Sequence, residues 1–340
     1  YGFGLIPYAL MNKSDRPQYK VDYWLPEGTR IHKTSKDLEE IEKKIMSWPA
    51  VTAVATTVGS GPPRFMLGFS PEQPNIAYGN MIVKVKPDAS VPKLIQRTQS
   101  YISSTFPESD ARASEFIPGG MPNFLIQARI SGDDPETLRR LAEQVQGIMR
   151  ATGKTEELGS NWRNQVPVWK PEFMQAAGGI RGVSRQSVGQ TMQWLTTGST
   201  WNTYRAGKHL MPIVFRAPTQ EDFDLYDVSA VPIAAWENPD RVPLGAVLTN
   251  GEIVMENPII HHYDRERTIT VRANPQPGVN CAALRTDIAK TIQAKVDFPF
   301  GYDISWGGLY ETSKEANTSL NAQFPVAMTL MLMAVILLFN

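Results

Sequence analysis

YKVDYWLPEGTRIHKTSKDLEEIEKKIMSW, residues 19–48, contains a strand, a turn and a helix in succession. Its opening residues are rich in β-branched and aromatic side chains, which predicts a strand over 19–25. The sequence Pro26-Glu27-Gly28 predicts a turn. We expect the helix to be capped near Thr34 or Ser35, because both side chains can accept hydrogen bonds from free backbone N–H groups. Its buried face is expected to consist of Leu38, Ile41, Ile45 and Trp48.

Further segments complete a unit with the order βαββαβ. A run of β-forming residues over 51–58 and an alternating pattern over 76–86 predict two strands. Apolar residues at helical spacing predict a helix from Ser90 to Phe106, and a last strand is expected over 111–117. This order predicts a ferredoxin-like arrangement, in which two helices cover one face of an antiparallel sheet.

The same order begins again after this unit and is then interrupted. A strand over 124–130 is followed by a helix, for which Asp134 is the predicted cap and Pro135 the first residue. The remaining parts are predicted much further along the chain: strands over 252–260 and 267–273, a helix around 284–296 and a strand over 302–306.

The intervening residues form a separate predicted domain. They contain two short helices, over 171–177 and 184–195, and a hairpin that turns at Ala206-Gly207. We therefore expect an α+β fold with two ferredoxin-like (split β-α-β) units, the second of which is interrupted by an inserted α+β domain.

Both ends of the chain are apolar. All 34 basic and 34 acidic residues lie between Asn12 and Gln323. The run FPVAMTLMLMAVILLF, 324–339, is shorter than the ~20 apolar residues of a spanning helix. A signal peptide is not expected, because no basic segment precedes the apolar start. We expect 1–14 to end one transmembrane helix, and 311–340 to be a linker and the start of the next, cut in mid-span.

Composition excludes several functional classes. Equal numbers of basic and acidic residues give no charged field for nucleic acid. One cysteine, Cys281, excludes an internal disulfide and fits a reducing compartment or a periplasm.

His261 and His262 are adjacent in an extended segment, so their side chains point in opposite directions and cannot easily bind one metal ion. We find no catalytic triad, paired acids or phosphate-binding motif, and we predict no enzyme, no cofactor and no metal site.

Four phrases resemble, in the same order, sequences of the resistance-nodulation-division (RND) multidrug efflux transporters of the acriflavin-resistance, or hydrophobe–amphiphile exporter, type. They are WLPEGT at 24–29, FMQAAGGIRGVSRQSVGQTMQWLTTG at 173–198, RERTITVRANPQPG at 265–278 and YDISWGG at 302–308. The resemblance covers nearly the whole chain. It is to the second of the family's two periplasmic loops, between the seventh and eighth transmembrane helices.

The resemblance implies a division into subdomains. Residues 15–117 would form the first porter subdomain, 118–165 with 260–310 the second, and 166–259 the docking subdomain. It also implies a homotrimer in a bacterial inner membrane, with this segment in the periplasm. Such a transporter is driven by proton-motive force, works with a periplasmic adaptor (membrane fusion) protein and an outer-membrane channel, and exports small amphiphilic substrates.

The loop over 59–69 carries the first candidate substrate contacts. A pocket that accepts many substrates needs apolar or aromatic surface with few fixed polar groups. Phe65, Met66 and Phe69 lie on this glycine- and proline-bounded loop, which by resemblance is the switch loop between the proximal and distal pockets. Packing into a core is the alternative role for each of these side chains.

Neighbouring strands carry the other candidate contacts. Ala55 and Thr57 alternate onto one face of their strand, and with Ser60 they would by resemblance line the distal pocket. The proximal pocket would be lined by Trp24, Glu115 and Ile117. A carboxylate in that position would favour cationic or polar ligands.

Trp201, Tyr204 and His209 lie on a predicted hairpin over 200–215. By resemblance this hairpin belongs to the docking layer, which meets the outer-membrane channel or a neighbouring protomer. Exposed aromatic residues are enriched at such interfaces. An ordinary exposed hairpin is the alternative.

Other functions stay open. The small residues Ala55 and Thr57 permit an RND exporter of a lipid or another envelope component. The 13 methionines allow a metal exporter, although Met66, Met81 and Met121 show no spacing that demands a shared site. A membrane receptor would also carry a ligand-binding extracytoplasmic domain between two membrane helices.

Overall fold

The computed structural model describes residues 16–66, 69–116, 122–216, 225–234 and 241–339. One unit is made of the residues up to Val166 together with those from Asn257 onward, and a second unit, Pro167–Glu256, is inserted in its sequence. The first unit contains two βαββαβ modules and a long C-terminal helix. The predicted α+β class with two ferredoxin-like sheets is confirmed.

The first module has the predicted order of elements. They are β1 (Gln18–Trp24), α1 (Ile31–Met46), β2 (Val51–Val58), β3 (Tyr78–Val85), α2 (Val91–Thr105) and β4 (Asp110–Glu115). The strands form an antiparallel sheet in the order β2-β3-β1-β4, which is the ferredoxin-like order. Helices α1 and α2 pack on one face of this sheet, where Tyr19, Val21 and Tyr23 are completely buried.

Helix α1 begins earlier than the sequence predicts. It starts at Ile31, with Arg30 in the capping position and no side-chain cap, so the predicted cap at Thr34 or Ser35 is wrong. Thr34 is buried within the helix, and its hydroxyl donates to the carbonyl oxygen of Ile76 at 2.8 Å. This hydroxyl therefore fixes the segment before β3 rather than the end of the helix.

The second module begins with β5 (Ile126–Ser131), α3 (Pro135–Ala151) and β6 (Thr155–Ser160). The predicted cap of α3 is confirmed, because the Asp134 carboxylate accepts a hydrogen bond from the backbone N–H of Thr137 at 2.8 Å. The sequence pattern does not predict β6. Its residues, TEELGS, are mostly polar and show no alternation of apolar side chains.

The inserted unit consists of short elements around a small core. They are β7 (Val166–Lys170), α4 (Gln175–Arg181), α5 (Arg185–Thr196), β8 (Ser199–Ala206), β9 (His209–Phe215), α6 (Leu225–Ala230), β10 (Pro232–Ala234), β11 (Arg241–Pro243) and β12 (Glu252–Glu256). Leu244 and Val247 are fully buried at the centre of that core. Because β12 pairs with β7, the strand predicted over 252–260 ends at Glu256 and does not belong to the second module.

The second module is completed by β13 (His262–Tyr263), β14 (Glu266–Pro275), α7 (Cys281–Lys295) and β15 (Asp303–Gly308). Its antiparallel sheet has the order β6-β14-β5-β15, and β13 forms a short hairpin with β14. Helices α3 and α7 pack with Ile269 and Val271 of β14 in one core. Strand β6 therefore fills the place in the module that the sequence gives to residues 252–260.

Helix α8 (Leu309–Phe339) begins directly after β15. Within the described ranges it is the one helix that is long and apolar enough to cross a membrane. The residues predicted as a linker are helical, and Pro325 lies inside the helix. The Arg129 guanidinium of β5 donates to both carboxylate oxygens of Glu311, at 2.9 and 2.7 Å. This bidentate pair fixes the first turn of α8 to the second module.

Gly79 lies in β3 where a side chain does not fit. An added Cβ atom would lie 2.1 Å from Cδ1 of Leu38, which is fully buried. We expect Gly79→Ala to lower the free energy of unfolding by roughly 1–3 kcal/mol through overpacking. Gly147 is the control, because it is exposed in α3 and an added Cβ meets nothing within 4 Å. Gly147→Ala should stabilise by up to about 1 kcal/mol. Thermal denaturation measures both, and equal shifts would contradict this packing.

Candidate substrate cleft

One face of the first sheet is left open by α1 and α2. Strand alternation places Lys20, Asp22 and Trp24 on this open face, opposite the buried tyrosines of β1. Their neighbours on the open face are Ile82, Asn80 and Tyr78 of β3, Ser114, Arg112 and Asp110 of β4, and, beyond β3, Ala55 and Thr57 of β2. Ala55 and Thr57 therefore share a face with Trp24, and Ser60 lies just beyond the end of β2.

Asp22 is the centre of a polar network on the open face. Its carboxylate is paired with the Lys20 ammonium at 2.8 Å and accepts hydrogen bonds from the Tyr78 hydroxyl at 2.7 Å and the Asn80 amide at 2.8 Å. Burial alone would raise the pKa of Asp22, but the Lys20 charge and these hydrogen bonds hold it below its ordinary value. The network keeps a charged pair in the sheet without an exposed carboxylate.

The second module faces this open side, and we call the space between the two modules the cleft. Among the described residues, two ion pairs join the walls of the cleft. Nε of Arg112 lies 2.8 Å from Oε2 of Glu157, and Nε of Arg163 lies 2.9 Å from Oε1 of Glu27. The Arg163 guanidinium also stacks 3.8 Å from the centre of the Trp24 ring. Burial lowers the pKa of Arg163, and the Glu27 charge opposes that shift.

The two residues that supply these ion pairs from the second module have an unusual backbone. Glu157 has φ of 54° and Arg163 has φ of 58°. This left-handed region is uncommon for residues other than glycine, and surrounding structure must hold such residues there. The segment from β6 to Arg163 is therefore a strained attachment between the two modules.

Among the described residues, two neighbouring cavities lie in the cleft. The larger has a volume of about 330 Å³ and is lined by Trp24, Leu25, Pro26, Glu108, Asp110, Arg139, Glu143, Gln146, Gly159, Ser160, Arg163, Asn164 and Arg272. The smaller, of about 50 Å³, is lined by Asp22, Trp24, Glu72, Asp110, Arg112, Asn123, Phe124, Glu157, Gly159 and Arg272. Trp24, Asp110, Gly159 and Arg272 border both cavities. The cleft thus combines aromatic rings with guanidinium and carboxylate groups.

Phenylalanines form a cluster at the loop over 59–69. The Phe65 ring lies 5.1 Å from Phe69 and 5.6 Å from Phe116, between ring centres. Phe69 and Phe116 are only 6% and 2% exposed, whereas Phe65 is 46% exposed. Of the predicted loop contacts, Phe65 and the partly exposed Met66 offer surface to a ligand, and Phe69 serves chiefly to pack the loop. The structure adds Phe116, whose place beside the loop the sequence does not reveal.

The predicted proximal residues are not brought together. Glu115 pairs with Tyr19 and shares the helix-facing side of β4 with Ala111 and Ala113. Trp24 lies on the opposite face, because side chains alternate along a strand. The residues of β4 beside Trp24 are instead Asp110 and Arg112. Ile117 lies outside the described residues.

The predicted docking residues lie on the hairpin β8–β9 of the inserted unit. Trp201, Tyr204 and His209 are all exposed, and the Trp201 ring packs 5.6 Å from that of Phe215. Both strands are exposed along nearly their whole length. The hairpin therefore presents an exposed surface, and its role as a docking surface stays a prediction.

No group of three or more histidine, cysteine, aspartate or glutamate side chains is arranged to hold a metal ion in the part of the chain that the structure describes. His261 and His262 are both exposed. The charged residues of the cleft were not among the sequence candidates. They include Glu27, Arg112, Glu157, Arg163 and Arg272. Glu27 pairs with Arg163 and Arg112 with Glu157 across long stretches of sequence, so no local motif signals these residues.

A duplicated βαββαβ module, an inserted unit within the second copy and a following helix of membrane length are the arrangement that the resemblance to RND transporters implies. The chain belongs to the AcrB/AcrD/AcrF family, whose sequence profile matches residues 1–340. This confirms the resemblance seen in the sequence. The family consists of transporters, which contradicts the receptor alternative.

Individual relatives are distant. The chain is 22% identical over 333 residues to the cation efflux system protein CzcA of Alcaligenes sp. (strain CT14), a match that covers 92% of this chain and 30% of the relative. It is 22% identical to the protein HelA of Legionella pneumophila, over 88% of this chain and 29% of the relative. The fold also matches a crystal structure of a heavy metal efflux pump, with a TM-score of 0.76 and 16% identity. The match covers 94% of this chain and 34% of the pump chain. The chain therefore spans about a third of the length of these proteins.

Proposed function

We propose that the chain is the porter and docking portion of a proton-driven RND efflux transporter that exports amphiphilic organic compounds. In this proposal 15–117 is the first porter subdomain, 118–165 with 260–310 the second, and 166–259 the docking subdomain. The whole transporter is a homotrimer in the bacterial inner membrane, with this segment in the periplasm. It works with a periplasmic adaptor protein and an outer-membrane channel.

The observation that carries an organic cargo is the surface of the cleft. Trp24 and Phe124 present aromatic rings to the cavities, and guanidinium groups stack on both rings. Flat aromatic surface binds varied organic molecules without demanding fixed hydrogen bonds. Phe65, which is exposed on the loop over 59–69, adds apolar surface. Trp24 and Phe65 therefore remain proposed contacts, with Ala55, Thr57, Ser60 and Met66 as secondary ones.

Metal export is the second candidate. It is favoured by the names of the relatives, which include a cobalt-zinc-cadmium resistance protein CzcA of Cupriavidus metallidurans, 23% identical over 286 residues. The carboxylates of Glu72 and Asp110 border the smaller cavity, and carboxylate oxygens are among the ligands that zinc accepts in proteins. The two candidates differ in cargo and share the fold.

Susceptibility tests separate these candidates. The complete gene, with its adaptor, would be expressed in a Gram-negative strain that lacks its own efflux pumps. We expect higher resistance to cationic, neutral or anionic organic compounds, and a proton uncoupler should abolish it. Resistance only to zinc, cobalt, cadmium or copper salts would replace the organic cargo with a metal. Unchanged resistance to every compound would contradict both.

Phe65→Ala should change the order of preferred substrates without lowering the amount of transporter. The Phe65 side chain is half exposed, so its loss removes ligand surface and little core packing. Met66→Ala should act in the same direction. Resistance profiles and immunoblots measure the two effects. Phe69→Ala is the contrasting variant, because this buried ring should be needed for folding and its loss should reduce protein abundance. If Phe65→Ala lowers resistance to all substrates equally and also lowers protein abundance, Phe65 has a packing role instead.

A further inference from the structure

Arg272 of β14 differs from the other arginines of the cleft. Its guanidinium lies 4.4 Å from the centre of the Phe124 ring, and the residue borders both cavities. Arg112 stacks on the same ring at 5.0 Å, and its charge is matched by Glu157 at 2.8 Å. Phe124 thus holds two guanidinium groups, of which one is paired with a carboxylate.

The remaining cleft arginines also have partners. Arg163 is paired with Glu27, and Arg139 donates to the Asn257 side chain and to the carbonyl oxygen of Arg163. Arg272, in contrast, has no carboxylate within 4 Å and no side-chain hydrogen bond among the residues that the structure describes. Asp110 and Glu72 act on it through space only.

A cation in this position is costly until an anion reaches it. Burial lowers the pKa of Arg272, and the more distant acids only partly oppose this. An arginine stays protonated in proteins and presents a planar fork that fits an oxyanion. The Phe124 ring beside it offers apolar area, so a ligand that carries both an aromatic part and an oxyanion would satisfy both groups.

We propose that Arg272 binds the oxyanion of amphiphilic cargo, so that the transporter accepts compounds with a single carboxylate or sulfonate next to an apolar ring system. This inference rests on the proposed export of organic compounds. Asp110 and Glu72 repel additional negative charge, which restricts the preference to monoanions. Arg272 is then the residue that distinguishes anionic from neutral cargo.

A matched pair of fluorescent probes tests this role. N-phenyl-1-naphthylamine and 1-anilinonaphthalene-8-sulfonate share one ring system and differ by a sulfonate. Both would be titrated into the transporter purified from its complete gene, with a detergent blank. We expect Arg272→Gln to weaken binding of the sulfonate at least about tenfold, which is the loss of one charge-assisted hydrogen bond, and to leave the neutral probe unchanged. Arg272→Lys should restore part of the affinity, since it keeps the charge and loses the fork.

The control is Arg97→Gln. The Arg97 guanidinium also stacks on an aromatic ring, that of Trp48 at 4.3 Å, but it lies on the helix-covered side of the first module. Arg97→Gln should change the affinity for neither the sulfonate nor the neutral probe. Equal loss for both probes with Arg272→Gln would assign Arg272 a structural role and overturn the inference. Saturable binding of the neutral probe alone by the unmodified protein would also overturn it, and leave the proposed function intact. If the unmodified protein binds neither probe, both this inference and the proposed function are contradicted.

Discussion

Replacing Asp22 with alanine is expected to destabilise the first sheet by about 3–5 kcal/mol, because it leaves the buried Lys20 charge without a counter-ion. Lys20 is only 7% exposed, and its ammonium lies 2.8 Å from the Asp22 carboxylate. The Tyr78 hydroxyl and the Asn80 amide lose their acceptor at the same time. Hydrogen exchange in β1 and β3 should therefore quicken far more than in the second module.

Asp88→Ala is the control for this experiment, because Asp88 is exposed in the turn after β3. It should change stability by no more than about 0.5 kcal/mol. Equal exchange in the two variants would show that the Asp22 network contributes little.

The ion pair between Asp22 and Lys20 also predicts that stability depends on pH. The pKa of Asp22 is lowered in the folded protein, so its contribution is complete above the ordinary carboxyl value of about 3.9 and is lost as pH falls below it. Asp22→Asn should remove this acid-sensitive part.

Glu27→Gln is expected to loosen the attachment of the two modules, with a cost of up to about 3–5 kcal/mol. The Glu27 and Arg163 side chains are 8% and 11% exposed, so the remaining guanidinium would be buried without a carboxylate. Arg163, whose backbone lies in the left-handed region with φ of 58°, would also lose one of the side-chain contacts that fix this segment. Hydrogen exchange at residues 24–30 and 160–166 measures the effect.

A second substitution separates the pair from the packing around it. Arg163→Met in the Glu27→Gln background removes the unmatched charge, so part of the lost protection should return. Glu39→Gln is the surface control, since Glu39 pairs with Lys43 at 2.6 Å but both side chains are mostly exposed. No measurable change is expected there, because solvent screens such pairs. If the double variant is less protected from hydrogen exchange than either Glu27→Gln or Arg163→Met alone, this account of the buried pair is contradicted.

The helices and the duplicated order could be predicted because their apolar residues repeat at regular spacing. Helix α3 shows both a cap and a buried stripe, and both are seen in the structure. Strand β6 escaped prediction because TEELGS is a polar segment whose pairing with β14 depends on residues over a hundred positions away. Thr34 escaped for a similar reason, since a tertiary hydrogen bond to Ile76 competes with its capping role.

The site was less predictable than the fold. Alternation correctly placed Ala55 and Thr57 on one face of β2. The resemblance groups Glu115 with Trp24, but the register of β1 and β4 places the two side chains on opposite sides of the sheet. The charged walls of the cleft are invisible in sequence, because Glu27 meets Arg163 and Arg112 meets Glu157 only in the folded chain.

The most direct test of the central claim is to block the cleft and follow efflux. Ser160→Cys, in a transporter whose other cysteines, Cys281 among them, are replaced by alanine, places one thiol at the larger cavity. Efflux of N-phenyl-1-naphthylamine from cells would be timed before and after labelling with a bulky maleimide. Labelling should slow efflux strongly, whereas the same label at Ser100→Cys, exposed on α2 of the first module, should not. Unchanged efflux from cells with fully labelled Ser160→Cys would contradict a cargo path through this cleft.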